Sequence, residues 1–292
     1  MKDQFNKGLL LTSLGSFWWG FIGVIYFQYV SFIGHIELVV HRCLWTAVML
    51  IITTTFLGKW KIFTKNISNK KNLIGLFFSG SLIFINWAVW IYAVATERII
   101  DASFGYFIMP IISVLLGYIF FKEKINKKRL FSISLVTISI IFLILFNLKS
   151  LPWVGLIVAF SWAFYNLIRK KINVDTDVGL LIESLFIFPF ALVAFYFIAE
   201  KGLNDFSLSD PIFSLFLILA GPMTVIPLFL YVRGVELIGL GPTGMIFYIT
   251  PTLQFVLGYF YYNEEFSLVK FISFIIIWIA VIIYLKDLYE TN

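Results

Sequence analysis

Three ionisable side chains, His41, Arg42 and Glu183, stand inside apolar stretches long enough to cross a bilayer. A charge at that depth costs roughly 2.5–3.5 kcal/mol on insertion scales, so such a group faces a cavity or a partner. His41 and Arg42 point about 100° apart on a helix and cannot share one face equally. Arg42 has a plainer reading as well: it lies about 9 Å inside its stretch, from where it could snorkel to the interface. Asn86 and Trp90 are four residues apart and share a helix face. A buried amide there must bond either to a neighbouring helix or to water and solute. Trp162, Tyr165, Asn166 and Arg169 form one polar-aromatic stripe, whose upper part is placed on a cavity wall and whose last member, Arg169, is placed at the cytoplasmic interface. Trp18 and Trp19 lie mid-stretch, away from the interfacial belt where tryptophan concentrates, so one of them is expected on the same wall. Pro110 and Pro251 each remove a backbone bond and kink a helix. The carbonyls they free, of Tyr106 and Phe247, must find partners or line a wet cavity. Tyr106 and Tyr248 complete the candidate cavity set, and the two prolines are expected as matched kinks for gating, a purely structural kink being the plainer alternative.

The elements that must position these residues follow from composition. Of the 292 residues 61% are hydrophobic and 13% charged, against about 45–50% and 25% in soluble domains. So few charges cannot cover a water-facing surface. Soluble enzymes, disordered chains, collagen-like repeats and nucleic-acid readers are excluded, and the net charge of +6 is read as basic loops facing the cytoplasm. One cysteine, Cys43, and two histidines leave no internal disulfide and no His/Cys metal site. No phosphate-binding loop, zinc-protease or nucleophile-elbow signature occurs, so no enzyme, no cofactor and no ATP-driven pump is expected.

A helix needs about 20 apolar residues to span a bilayer. Ten stretches qualify: 8–28, 36–57, 73–95, 102–121, 129–148, 152–169, 178–199, 211–231, 242–262 and 267–285. The first is too long for a signal-peptide core and is read as retained. With the N-terminus inside, 17 basic residues fall on the cytoplasmic side and 4 outside, with Arg42 within a span. That bias places both termini in the cytoplasm. The expected fold is all-α, with ten transmembrane helices. By residue count, Arg42 then lies roughly 9 Å below the outer edge and Glu183 roughly 8 Å above the inner one, about 13 Å apart in height. Each is expected to serve its own half of the cavity rather than pair with the other.

The halves resemble each other. Tyr106-Phe107-Ile108-Met109-Pro110, Leu116-Gly117-Tyr118 and Glu123 match Phe247-Tyr248-Ile249-Thr250-Pro251, Leu257-Gly258-Tyr259 and Glu264 at a constant offset of 141 residues. Five spans per half means that the second half enters from the opposite side. The loop around Glu123, from Lys122 to Arg129, carries five basic residues, while the loop after Glu264 has none before Lys270. Residues 1–148 and 149–292 are therefore expected as two inverted five-helix repeats within one transmembrane domain, a plan typical of secondary transporters. Glu123 and Glu264 are read as caps or loop partners.

The five-plus-five plan resembles the drug/metabolite transporter superfamily, whose repeat is called EamA, and within it the RarD-like branch. The matching motifs are His41-Arg42-x-x-Trp45, Asn86-Trp87, Ala102 to Ile108 with Pro110, Tyr165 with Arg169-Lys170-Lys171, Gly179 to Glu183, Thr224 with Pro227-Leu228, and Tyr248 to Thr252. Phe247 departs from that branch, which usually has Gln there, so no hydrogen bond of that Gln carries over. The resemblance implies solute movement across a bacterial inner membrane. The expected function is a secondary transporter of small organic solutes: metabolites, amino-acid-like or drug-like compounds. The alternatives are a flippase for a lipid-linked carrier and a non-transporting membrane scaffold or sensor. The expected partners are a small-molecule substrate, the lipid bilayer, and a coupling proton or exchanged solute, with no nucleic acid. The chain is expected as a monomer or weak homo-oligomer.

Overall fold

The structure, a computed structural model, describes residues 2–30, 32–95, 99–147, 153–172, 174–207, 209–261 and 268–291. Every regular element among them is a helix. The first stretch opens as α1 (Lys2–Phe17), passes through a π-helical turn (Trp18–Ile22) and continues as α2 (Gly23–Tyr29). Then come α3 (His35–Phe56), a short α4 (Trp60–Ile67), α5 (Lys70–Ala95), α6 (Ile99–Phe121) and α7 (Lys127–Asn147). The second half contains α8 (Trp153–Ile172), α9 (Thr176–Glu200), α10 (Pro211–Ile218), α11 (Ala220–Ile238), α12 (Leu240–Ile246), α13 (Ile249–Phe260) and α14 (Leu268–Thr291).

Among the described residues, seven helical segments are long and apolar enough to cross a membrane: Asp3–Tyr29, His35–Phe56, Lys70–Ala93, Lys127–Phe146, Thr176–Glu200, Pro211–Ile238 and Phe271–Thr291. Gly105–Phe121 is a shorter apolar helix. The expected sixth span falls on α8, whose last turn holds Arg169, Lys170 and Lys171, and the ninth is split between α12 and α13. Large apolar side chains dress the outside: Phe56 is 87% exposed and Phe190 76%. A continuous apolar exterior of this kind suits hydrocarbon and not water. The protein is a multi-pass membrane protein.

Local chemistry sets several helix starts. Asp210 accepts the Phe213 backbone N–H at 3.0 Å with Pro211 next to it, and Asn69 accepts from the N–H groups of Lys71 and Asn72 at the head of α5. The charged segment after Lys59, expected as a loop, instead contains α4. Its Trp60, Ile62 and Ile67 are exposed beside Lys61 and Lys65, an amphipathic turn that a break defined only by charge cannot reveal. Lys59 reaches Asp175 at 3.1 Å and Asp177 at 2.8 Å. Burial alone would lower its pKa, but hydrogen bonds to Asp177 and Asp175 outweigh that and raise it.

The halves interlock. The main packing partners are α1 with α11, α5 with α8, α3 with α9 and α11, α5 with α9, α6 with α8 and α12, the π-helical turn with α13, and α7 with α14. Most of the core is therefore shared between the halves.

Candidate functional site

Where α2, α3, α5, α6, α8 and α13 meet the π-helical turn, they surround a cavity of about 590 Å³, counting all space between atoms including its open part. The π-helical turn inserts an extra residue in the helix, a device frequent at functional sites, and here it brings Trp19 onto the wall. Gly20 makes the turn possible, because a Cβ there would lie 2.9 Å from the Thr250 carbonyl oxygen. Thr250 in turn donates to the Ser16 carbonyl at 2.9 Å, tying α13 to the first helix.

Trp19 meets Trp162 edge-on at 5.1 Å, and Tyr231 and Phe247 close around the pair, with Trp162 to Tyr231 at 5.4 Å and Tyr231 to Phe247 at 5.4 Å. Trp19, Trp162 and Phe247 form the cavity floor, and Tyr231 packs behind them. Tyr106 stands beside Phe247, at 5.7 Å between centroids. Asn86 donates to the Val158 carbonyl at 2.9 Å and to Ser161 Oγ at 3.0 Å, the bond to a neighbouring helix, while it also lines the cavity. Trp90 shares its face and also lines the cavity, edge-on to Phe27. Arg42 donates from Nε to Thr224 Oγ1 at 2.9 Å, and its guanidinium lies 4.6 Å from the Trp87 ring and 5.1 Å from the Phe27 ring. It is 6% exposed and has not snorkelled outward.

Six expected residues thus meet at the cavity: Trp19, Arg42, Asn86, Trp90, Tyr106 and Trp162. The others do not line it. Trp18 precedes Trp19 in the π-helical turn, and its indole N–H is buried without a partner. His41 sits against another face of α3. Its Nδ1 accepts from Trp45 Nε1 at 3.2 Å, which leaves the ring proton on Nε2, 3.3 Å from Glu37. Glu37 then accepts the Asp205 and Phe206 backbone N–H groups, so His41 helps to anchor a loop. Tyr248 is buried and donates to the Phe107 carbonyl at 2.9 Å.

Tyr165 and Glu183 lie in a separate polar cluster below the floor. Glu183 accepts from Ser79 and from Tyr165 at 3.2 Å, and its Oε1 lies 3.5 Å from Arg169 Nε. Arg169, expected at the interface, is 1% exposed. Its Nη2 donates to the Thr176 carbonyl at 3.0 Å, while Nε and Nη1 lack hydrogen-bond partners. Arg42 and Glu183 have separate partners and do not pair, but Glu183 is not on the main cavity as expected. Gly179 leaves room for the guanidinium, since a Cβ there would lie 1.8 Å from Arg169 Nη1. Gly179→Ala should therefore force the buried arginine aside and cost about 1–3 kcal/mol, an overpacking loss. A melting temperature equal to that of the parent would refute it.

The prolines are not matched kinks. Pro110 sits inside the unbroken α6, whereas Pro251 is the third residue of α13, just after a break at Phe247 and Tyr248. The Phe247 carbonyl is satisfied locally by the Thr250 N–H at 2.9 Å. Glu123 behaves as a cap: it accepts the Leu240 and Gly241 N–H groups at 2.9 Å and binds Lys170 at 2.8 Å. The matching expectation for Glu264 lies outside the described residues, as do Arg98 and Lys149, and so do the side chains of Ala102 to Phe104.

Residues not in the expected set also line the cavity, among them Phe27, Trp87, Phe247, Thr250 and Gln254. Gln254 carries the same signal as Asn86, an amide deep in an apolar stretch. Phe27 is one of 34 phenylalanines and has no signal of its own. Among the described residues no group of three or more His, Cys, Asp or Glu side chains is placed to hold a metal.

A helical membrane protein with an aromatic cavity between its halves is the architecture of a membrane transporter. The chain belongs to the EamA-like transporter family, whose profile matches it over residues 6–145 and again over 150–286. It is 34% identical to "Uncharacterized transporter YojE" of Bacillus subtilis (strain 168), over 96% of this chain and 93% of that protein. It is 31% identical to "Protein RarD" of Escherichia coli (strain K12), over 99% and 97%. A solved crystal structure superposes with a TM-score of 0.71 at 11% identity, covering 96% of this chain and 97% of the other, a likeness of fold alone.

Proposed function

We propose that the chain is a secondary transporter that moves small organic solutes across the bacterial inner membrane by alternating access. Ten spans, both termini in the cytoplasm and two inverted repeats, 1–148 and 149–292, complete the reading. A gradient or an exchanged solute supplies the drive. One observation carries it: a cavity walled by both halves ends on an aromatic floor, beneath which lies a sealed polar cluster.

The packing supports the repeat. Exchanging each helix for its counterpart turns the α1–α11 contact into α8–α5, and α3–α11 into α9–α5, and both members of each exchange occur. Counterparts also touch directly. Tyr106 meets Phe247, and Tyr248 bonds Phe107, residues 141 apart in each case. An axis relating the halves would pass between them.

On this reading the cavity opens outward and the Arg169–Glu183 cluster lies on the cytoplasmic side. The test uses the single cysteine, Cys43, which is buried and replaceable by alanine. On that background, Gln254→Cys in intact cells should react with an external, membrane-impermeant thiol reagent, and Ser79→Cys should not. Reporter fusions after Lys201 and after Lys286 should report opposite sides. Equal labelling of the two cysteines, or the same side for both fusions, would refute the arrangement.

A further inference from the structure

The charge inventory of the cavity is one-sided. Among the described residues, Arg42 is the only ionisable side chain with a formal charge at neutral pH of the thirteen that line it, and no carboxylate lies within 4 Å of its guanidinium. Every other buried arginine among the described residues has an acid: Arg129 holds Asp287 at 2.8 Å and Arg169 faces Glu183. The two also differ in access. Arg169 has two N–H-bearing nitrogens sealed from solvent without partners, whereas no nitrogen of Arg42 is sealed in that way. Thr224 engages only Nε, so the two Nη groups, the fork that binds a carboxylate, remain open to the cavity.

A charge withdrawn from water needs an opposite charge, and no described residue supplies one here. The faces of Trp87 and Phe27 stabilise the cation but do not neutralise it. The remaining wall is largely aromatic, with Trp19, Trp90, Tyr106 and Trp162 at the positions where a flat body would rest. Asn86 and Gln254 add neutral amides.

We infer that the cavity takes a monoanionic organic acid with a planar aromatic body, its carboxylate on the Arg42 fork and its ring among the tryptophans. This rests on the transporter reading and narrows its substrate class. One cation balances one negative charge, and a dianion would carry an uncompensated charge into the site. The absence of an acidic lining residue disfavours amines and, to a lesser degree, zwitterionic amino acids.

The experiment is thermal unfolding of the purified full-length protein in detergent with four probes: 3-phenylpropionate, its neutral amide, 3-phenylpropylamine and acetate. The acid should stabilise at concentrations at least about tenfold lower than the amide or amine, since a charge-assisted pair is worth at least that factor. Acetate should be weaker too, lacking the ring. In Arg42→Gln the acid should lose its advantage over the amide, and Arg42→Lys should retain part of it. If Arg42→Gln does not fold, the parent series and the Lys variant still decide. Equal or better stabilisation by the amine or amide would overturn the anion assignment and leave the cavity as a binding site. So would an acid preference that survives in Arg42→Gln, because the anion would then be held elsewhere. No response to any probe would count against the cavity as a binding site, and so against the transporter reading itself.

Discussion

Glu183→Ala should lower the stability of the folded chain by about 3–5 kcal/mol, the loss expected when one partner of a buried ion pair is removed. The reason is what stays behind. Arg169 is wholly enclosed, two of its nitrogens already lack hydrogen-bond partners, and among the described residues Glu183 is its only opposing charge within 4 Å. Ser79 and Tyr165 would lose their acceptor as well. Glu183→Gln should cost less, because the amide oxygen can still accept from one of those hydroxyls. The double variant Arg169→Met with Glu183→Met should regain most of the loss, since a well-packed apolar pair of similar volume is commonly no worse than a buried ion pair. Adding Arg42→Gln to Glu183→Gln should rescue nothing, because Arg42 bonds Thr224 and not Glu183. Thermal unfolding in detergent and abundance in membranes are the measurements. A Glu183→Ala protein as stable as the parent, or a double variant no better than the single, would sink the account.

Trp162→Ala should be comparably damaging, at about 3–5 kcal/mol, the usual range for deleting a large buried aromatic. Trp162 is 5% exposed and packs against Trp19, Tyr165 and Tyr231, with centroids 5.1, 5.5 and 5.4 Å away. It is the ring that stands between the cavity and the Tyr165–Glu183 cluster. Trp162→Phe should keep most of the stability, because the floor stays filled. The structural consequence can be read separately. In Trp162→Ala the reagent entering the cavity should now reach Ser79→Cys, which is shielded in the parent. A truncated variant that still shields position 79 would show that Trp162 is not what closes the floor.

Much of the scaffold was legible because membrane helices announce themselves as long apolar runs, and among the described residues seven helical segments prove long and apolar enough to cross a membrane. Asn86 with Trp90 was legible for a local reason too: a four-residue spacing fixes a shared face wherever the helix docks. Arg169 was not. It begins an Arg-Lys-Lys run, which by itself reads as an interface, and only the approach of Gly179 on another helix makes an interior berth for it. His41 was misplaced because, although Glu37 and Trp45 are its four-residue neighbours on the same helix, the loop that Glu37 holds lies 164 or more residues away and is brought there only by tertiary contact. The break at Phe247 and Tyr248 was hidden by reading Pro251 as a kink in a continuous helix. Proline is equally at home in the first turn of a new one, and sequence alone does not choose between the two.

The hydrogen bond from Tyr248 to the Phe107 carbonyl runs in one direction only. In a cycle where the halves trade places, its mirror image would need a hydroxyl at position 107, where the chain has a bare phenyl ring. One arrangement therefore holds a bond that the other lacks. At about 1 kcal/mol net for a hydrogen bond, that is roughly a fivefold difference in occupancy. On the proposed inverted-repeat reading, two copies of one plan would thus be unequal in rest populations before any solute or gradient acts. The tilt comes from a single phenolic oxygen on one side of the axis.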